Sequence, residues 1–278
     1  MKYWDKAWSL VEGCSPVSEG CDNCWLAQMD YRFNKGFANK YTDLKIEFAG
    51  HIKIREDRLE IPLQVKKPTV FAVWSDLFHE DVPMDFQADA FSVMGRCEHH
   101  TFLIFTKRPK LMSKFMEAWK GINLKLIFPH IWFGISVEDQ ITADERIPHL
   151  LQIPGKKFLN IEPMLEKINL TFYLASAIGE NYPYKPAFDQ VVLGGETGHN
   201  ARPMHPDWVR SVRGQCQAAG VPFFFKGWGK WIPNTNEISP ERYKSHGNAE
   251  YRRLLDGKTH DDLAWRGIGL YKVSPMGY

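Results

Sequence analysis

Three cysteines stand close together near the start of the chain, in a loop made mostly of Gly, Ser, Pro, Asp and Asn. The segment GCSPVSEGCDNCW, here called the cysteine loop (residues 13–25), places Cys14, Cys21 and Cys24 at a C-x6-C-x2-C spacing. The chain has five cysteines, an odd number, and the first residues, MKYWDKAWSLVEG, show no export signal. A disulfide framework is therefore the poorer explanation, and the spacing indicates metal binding or catalysis.

The identity of a fourth ligand separates the interpretations of this loop. A structural zinc site closes with four Cys or His ligands, and the next candidates after Cys24 are the distant His51, His79 and Cys97. A 4Fe-4S cluster held by three thiolates keeps one iron open for a substrate or cofactor. The sequence therefore favours an iron–sulfur cluster, with a zinc site closed by a remote residue, or cysteines without metal, as the alternatives.

Carboxylates recur directly after the apolar runs of the chain. They are Asp76, Glu138, Glu162 and Glu196. Because the carboxyl ends of parallel strands meet at one edge of a sheet, we expect these acids to converge on one mouth. Acids that face inward need partners, and the cations available nearby in the sequence are Lys107, Arg108, Arg202 and Lys226. Such acids would also suit a metal-independent hydrolase with acid and base catalysis, which is a further alternative.

A double glycine precedes the last of these acids, in the segment GGETG (194–198). Gly194 and Gly195 allow a tight turn and a close approach to a ligand, and the amides that follow could bind an anion. Glu196 would then project into the mouth. The segment lacks the Gly-Lys-Ser/Thr ending of a Walker phosphate-binding loop.

The segments that must position these residues alternate regularly between strand-like and helix-like patterns. Continuous apolar runs, typical of strands buried on both faces, occur at 69–76, 101–109, 130–139, 156–164, 190–198 and 221–229. Segments with a helical pattern lie between them, and WLAQMDYRF (25–33) predicts a short helix after the cysteine loop. This alternation predicts an α/β fold with six or seven parallel strands in a full or partial barrel.

Length and composition fit one large core. The chain has 278 residues, of which 44% are hydrophobic, and we expect a barrel with its cysteine loop over residues 1–235 and a C-terminal extension packed on it over 236–278. No stretch approaches the roughly 18 apolar residues of a membrane span, so we expect a soluble, cytoplasmic protein. The net charge of +2 neither requires nor excludes a nucleic-acid partner.

Several blocks taken together resemble a known family. They are GCSPVSEGCDNCW, WSDLFHEDVP, GISVEDQ, ERIPHLLQIPGKKFLNIEPM and LGGETGHNARPMHPDWVRSVRGQCQAAGVPFFFKGWG. In this order they are similar to a phage- and prophage-associated, three-Cys-motif family of radical S-adenosylmethionine-like proteins, from the first cysteine to about residue 235. The resemblance implies a partial (β/α) barrel of the radical SAM type, in which Cys14, Cys21 and Cys24 hold a 4Fe-4S cluster. The open iron would bind S-adenosylmethionine, and one-electron reduction would cleave it to a 5'-deoxyadenosyl radical that abstracts hydrogen from a substrate.

The chain departs from the usual radical SAM pattern at two points. The usual spacing is C-x3-C-x2-C with an aromatic residue before the third cysteine, whereas here Asn23 stands there and Trp25 could take the aromatic role. The usual Gly-Gly-Glu that binds the amino group of the cofactor follows the second strand, whereas this strand ends in WSD. Asp76 is therefore the candidate for the amino group.

The remaining roles implied by the resemblance complete the predicted site. Ser136 and Glu138 would contact the ribose or methionine part of the cofactor, and the residues facing the substrate would be Glu162, Glu196 and Lys226. The phage association and the mildly basic chain suggest a nucleic-acid or nucleotide substrate, with aromatic side chains available to stack a base. A reductant protein such as flavodoxin or ferredoxin and a genetically linked partner protein are expected. The alternative is a zinc-stabilised binding or scaffold protein of a phage-associated system, without radical chemistry.

Overall fold

The computed structural model describes residues 2–34, 38–42, 45–48, 50–122, 128–174, 186–233, 243–244 and 251–266. Its strands are β1 (Lys6–Ser9), β2 (Val11–Glu12), β3 (Ala38–Thr42), β4 (Lys45–Phe48), β5 (Lys53–Ile54), β6 (Val70–Trp74), β7 (Thr101–Thr106), β8 (Ile131–Ser136), β9 (Lys156–Ile161), β10 (Gln190–Gly194), β11 (Phe223–Gly227), β12 (Ile232–Pro233) and β13 (Tyr243–Lys244). Its α-helices are α1 (Trp25–Asn34), α2 (Met84–Arg96), α3 (Pro109–Ile122), α4 (Gln140–Leu151), α5 (Thr171–Leu174) and α6 (Pro206–Ala219). Among the described residues, every helix is too short or too polar to span a lipid bilayer.

Seven parallel strands form the main sheet, in the order β1-β6-β7-β8-β9-β10-β11. The strands lie in the sheet in chain order, and β1 and β11 do not pair with each other in the described residues, so the parallel sheet is an open half-barrel. Each of the six predicted apolar runs contains one of the strands β6 to β11, so the predicted partial barrel is confirmed. The short pairs β2–β5, β3–β4 and β12–β13 are antiparallel and lie outside the main sheet.

The pleat of the strands divides the core into two layers. Every residue of β8, the sequence IWFGIS, is buried, as expected for a strand covered on both faces. The larger layer packs the sheet against the helices and includes Phe71 and Ile135. The smaller layer fills the inside of the half-barrel with side chains such as Trp132, Phe158 and Trp265.

The C-terminal segment 251–266 covers the open edge of β11. The Phe225 amide donates to the His260 carbonyl at 2.9 Å, and Phe224 pairs with Asp261 in an antiparallel bridge. The Trp265 indole donates to the Tyr3 carbonyl, just before β1, at 3.0 Å. The segment thus spans the gap between the two outer strands. The predicted domain boundary at residue 235 adjoins positions outside the described residues and stays a prediction.

Candidate functional site

The carboxyl ends of the sheet strands open into a cleft of about 1300 Å³, counting the part that is open to solvent. Nine of the ten predicted site residues line it, namely Cys14, Cys21, Cys24, Trp25, Asp76, Ser136, Glu162, Glu196 and Lys226. Within the described ranges, no group of three or more His, Cys, Asp or Glu residues is arranged to hold a single metal ion.

Each cysteine of the cleft faces a positively polarised group. Lys107 Nζ lies 3.4 Å from Cys21 Sγ, and Arg108 Nη1 lies 3.8 Å from Cys14 Sγ. Cys24 immediately precedes α1 and accepts backbone hydrogen bonds from the amides of Ala27 and Leu26. Helix amino termini and cations both stabilise thiolates, so the cleft is electrostatically suited to three negatively charged sulfurs.

Burial, in contrast, disfavours the thiolate form of two of these cysteines. It raises the pKa of Cys14 to about 12, with the nearby Asp76 carboxylate adding to the effect and Arg108 opposing it. Burial also raises the pKa of Cys24, against its backbone hydrogen bonds. These two thiols are therefore protonated at neutral pH in the absence of metal, and metal binding must displace their protons.

Asp76 holds Arg108 against the cysteine loop. Its carboxylate lies 3.1 Å from Arg108 Nη1 and accepts a hydrogen bond of 2.5 Å from the Thr106 hydroxyl and one of 3.1 Å from the Phe78 amide. Arg108 in turn donates to the hydroxyl of Ser15 at 2.6 Å and to its carbonyl at 3.1 Å. The family resemblance implies that Asp76 binds a cofactor amine, but the hydrogen-bonding capacity of its carboxylate is largely used within the protein.

Glu138 is the one predicted site residue that does not line the cleft. Its fully buried carboxylate lies 2.5 Å from Lys107 Nζ and 3.1 Å from Arg146 Nη1, and it accepts a hydrogen bond of 2.9 Å from the Ser18 hydroxyl. A Cβ atom on Gly20 would lie 2.4 Å from Glu138 Cγ, so only glycine allows the cysteine loop to approach this closely. Burial by itself lowers the pKa of Lys107. The charges of Glu138 and Cys21 outweigh this effect, so the pKa of Lys107 is raised. Glu138 therefore contacts the loop, whereas the sequence predicted contact with a cofactor.

Glu196 and Arg202 connect the cysteine loop to the loop after β10. Arg202 donates to both carboxylate oxygens of Glu196, at 2.7 and 3.0 Å, and the Asn23 amide donates to Glu196 Oε2 at 3.1 Å. The hydrogen bond to Glu196 raises the pKa of Arg202, although partial burial of the guanidinium group lowers it.

The double glycine has a packing role at Gly195, where a Cβ atom would lie 2.2 Å from the Trp228 carbonyl oxygen.

Glu162 and Lys226 form the remaining ion pair of the mouth. Glu162 follows β9, Lys226 lies in β11, and their charged atoms are in direct contact. The Lys226 side chain is 37% exposed, and in the described part of the chain this pair has no hydrogen bond or ion pair with the cysteine loop. Burial and the Glu162 charge raise the pKa of Tyr3 well above its usual value, and its hydroxyl lies 3.5 Å from Asn160 Oδ1. Glu162 and Lys226 are thus the predicted site residues best placed to contact a ligand.

The four cations named from the sequence are confirmed as partners of the four acids. The pairs are Asp76 with Arg108, Glu138 with Lys107, Glu162 with Lys226 and Glu196 with Arg202. Three of them also contact the cysteine loop, which therefore crosses the mouth from the end of β7 to the loop after β10. Arg146, which supports Glu138 from α4, was missed because a single cationic residue on a helix gives no signal in the sequence.

One wall of the cleft is aromatic. The Trp25 and Trp74 rings meet edge to face with centroids 5.1 Å apart, and Trp74 meets Trp4 in the same way at 5.3 Å. Trp25 is 40% exposed, which is unusual for a side chain of this size. The sequence did not identify Trp4, because the short strand β1, which begins two residues after it, was not predicted. The segment FFFKGWG contributes core residues, including the buried Phe225 and Trp228.

The fold and the site define an α/β half-barrel whose mouth is crossed by a loop with three cysteines. The chain belongs to the DUF5131 family, described as a protein of unknown function, whose model matches residues 1–264. Neither the curated proteins nor the solved structures contain a match to the chain.

Proposed function

We propose that this protein is an enzyme of the radical S-adenosylmethionine type, with Cys14, Cys21 and Cys24 as the ligands of a 4Fe-4S cluster. The observation that carries the proposal is the convergence of these three thiols on one cleft, at the carboxyl ends of a parallel half-barrel. Functional sites of parallel α/β folds lie at this end of the sheet. The resemblance of the sequence to the phage-associated three-Cys-motif family supports the same function.

The donor set and the charges fit such a cluster. Three thiolates are ligands for iron–sulfur clusters or zinc, and a cluster with three thiolate ligands keeps one iron open. Lys107, Arg108 and the amino terminus of α1 face the three sulfurs and would balance their negative charge. When bound together with S-adenosylmethionine, such a cluster supplies the electron for reductive cleavage of the cofactor and so makes hydrogen abstraction available.

The residues of the chain divide into those that hold the loop and those that face the cleft. Asp76 and Glu138 hold Arg108 and Lys107 against the loop. Ser136 lines the cleft and would contact the cofactor, Trp25 lines it and would stack on a bound base, and the Glu162–Lys226 pair would bind the substrate and exchange a proton with it. A carboxylate beside an ammonium group offers both an acceptor and a donor to a polar substrate.

Metal and sulfide analysis after anaerobic purification tests the proposal. We expect about four irons and four sulfides per chain. We also expect an EPR signal of the reduced protein that changes when S-adenosylmethionine is added, because the cofactor would bind at the open iron. Stoichiometric zinc, with no iron after attempted reconstitution and no response to the cofactor, would instead support the zinc-stabilised scaffold protein.

We further propose that the substrate is a nucleotide or a nucleic acid. The aromatic wall of Trp4, Trp74 and Trp25 offers surfaces on which a base can stack. In the same cleft, Asn160 and the Glu162–Lys226 pair provide donors and acceptors of the kind that read the edge of a base. Stacking is worth roughly 1–3 kcal/mol per base, so loss of one stacking surface should weaken binding measurably.

Titration of mononucleotides and short single-stranded oligonucleotides, followed by tryptophan fluorescence, checks this substrate class without any metal. We expect Trp25→Ala to weaken binding about tenfold, through the lost stacking, and Lys226→Met to weaken it through a lost donor. Matched controls are Phe172→Ala, which removes a 78% exposed aromatic residue of α5, and Lys156→Met, which breaks a pair with Asp189 where the lysine is also 37% exposed. Equal weakening by the controls, or no binding by the unaltered protein, would reject this substrate class.

A further inference from the structure

We propose that Arg202 and Glu196 are positioning residues that fasten the cysteine loop across the mouth of the half-barrel. The sequence suggested that Glu196 faces the substrate. The Glu196 side chain is only 5% exposed, and its carboxylate accepts hydrogen bonds from Arg202 and from Asn23 of the cysteine loop. This inference concerns how the thiols are held, so it does not depend on which metal they bind.

Arg202 is suited to this task by the shape of its guanidinium group. Nη2 and Nε contact the two carboxylate oxygens of Glu196 at 2.7 and 3.0 Å, and the Arg202 amide donates to Glu196 Oε2 at 2.7 Å. Nη2 also donates to the carbonyl of Glu19 at 2.8 Å. A planar fork can serve a carboxylate and a carbonyl together, whereas a lysine ammonium group acts as a single point charge.

The contacts that Arg202 and Glu196 make with the cysteine loop flank Cys21 in the sequence, one of the three proposed metal ligands. Glu19, which accepts from Arg202, precedes Cys21 by two residues, and Asn23, which donates to Glu196, directly precedes Cys24. The short 3-10 helix Glu19–Cys21 begins at the residue that Arg202 contacts. The Arg202–Glu196 pair therefore fixes the part of the loop that carries the second and third thiols.

This fastening is the most exposed of the three that hold the loop. The side chains of the cations Arg108 and Lys107 are 5% and 17% exposed, whereas that of Arg202 is 32% exposed. Charged hydrogen bonds near solvent are weaker than buried ones, because water competes for both partners. We therefore expect the loop to open first at residues 19–24 and later at residues 14–18.

Hydrogen–deuterium exchange of the metal-free protein tests the assignment. We expect Arg202→Gln to speed up the exchange of the amides at residues 19–24 by roughly tenfold or more, the effect of losing hydrogen bonds to a charged group, with the sheet unchanged. Arg202→Lys should give a smaller increase. The matched control is Arg210→Gln on α6, which removes an arginine that is 39% exposed and also bridges two acceptors, Asp207 and Asp256.

A second measurement separates positioning from a merely structural role. In the metal-loaded protein, Arg202→Gln should release its metal to a chelator faster than the unaltered protein, whereas Arg210→Gln should not. The effects of Arg202→Gln and Glu196→Gln should be less than additive, because either change breaks the same contacts. Unchanged exchange of residues 19–24 in both variants would overturn the inference. Failure of the iron–sulfur proposal would instead appear in the identity of the bound metal and leave the exchange result intact.

Discussion

Replacement of Cys14, Cys21 and Cys24 together by alanine is expected to reduce bound metal from about four irons per chain to nearly none. The three thiols line one cleft, and in the described residues the two other cysteines, Cys97 and Cys216, are buried in the core between the sheet and the helices. The half-barrel should remain folded, because its strands and core do not include the loop. Iron analysis together with far-UV circular dichroism checks the result.

The matched controls for this prediction are Cys97→Ala and Cys216→Ala. These cysteines are 1% and 0% exposed, and burial raises the pKa of both, to about 12 for Cys216, so they act as small apolar side chains. We expect both variants to keep their iron. Full retention of metal by the triple variant would contradict the proposed site. An activity that survives loss of all three thiols would instead favour the metal-independent hydrolase.

The second large effect is expected from Glu138→Gln. The carboxylate is fully buried between Lys107 and Arg146, so loss of its charge leaves two cations without compensation in the interior. Breaking a buried ion pair in this way costs about 3–5 kcal/mol of the free energy of unfolding. Urea unfolding followed by circular dichroism measures the loss, which should appear as a lower midpoint.

The control for this change is Glu80→Gln, which removes the charge of another carboxylate that is paired with a cation of the cleft. Glu80 lies 2.7 Å from Arg108 Nε but is 56% exposed, so its loss should cost less than about 1 kcal/mol. Equal midpoints for Glu138→Gln and the unaltered protein would show that the buried network does not stabilise the fold. The loop would then depend on its other contacts.

The two predictions address different parts of the same arrangement. The thiols provide the proposed chemistry, and three of the four ion pairs at the mouth hold the loop that carries these thiols. These ion pairs would hold the loop in place before any metal binds. Less conformational entropy would then be lost when the metal binds. The pair formed by Glu162 and Lys226 is left to contact a ligand.

Local patterns determined most of the fold. The continuous apolar runs predicted β6 to β11 because a strand buried on both faces needs no polar alternation. The strand β1 was missed because its four residues, KAWS, include one buried side chain, Trp8, and give no apolar run. The convergence of the acids on one mouth also followed from the sequence, since parallel strands place their carboxyl ends together.

The tertiary structure alone decided what each acid contacts. Glu138 meets Ser18, which is 120 positions earlier in the chain, and Asn23 meets Glu196 over a separation of 173 positions. Such contacts depend on the path of the cysteine loop across the mouth, which no local pattern encodes, because the apolar periodicity reports only which face of an element is buried. The sequence by itself thus determined the half-barrel and its three thiols. The structure decided which charged residues hold the loop and which face the cleft, because pairing between distant charges depends on how the elements pack.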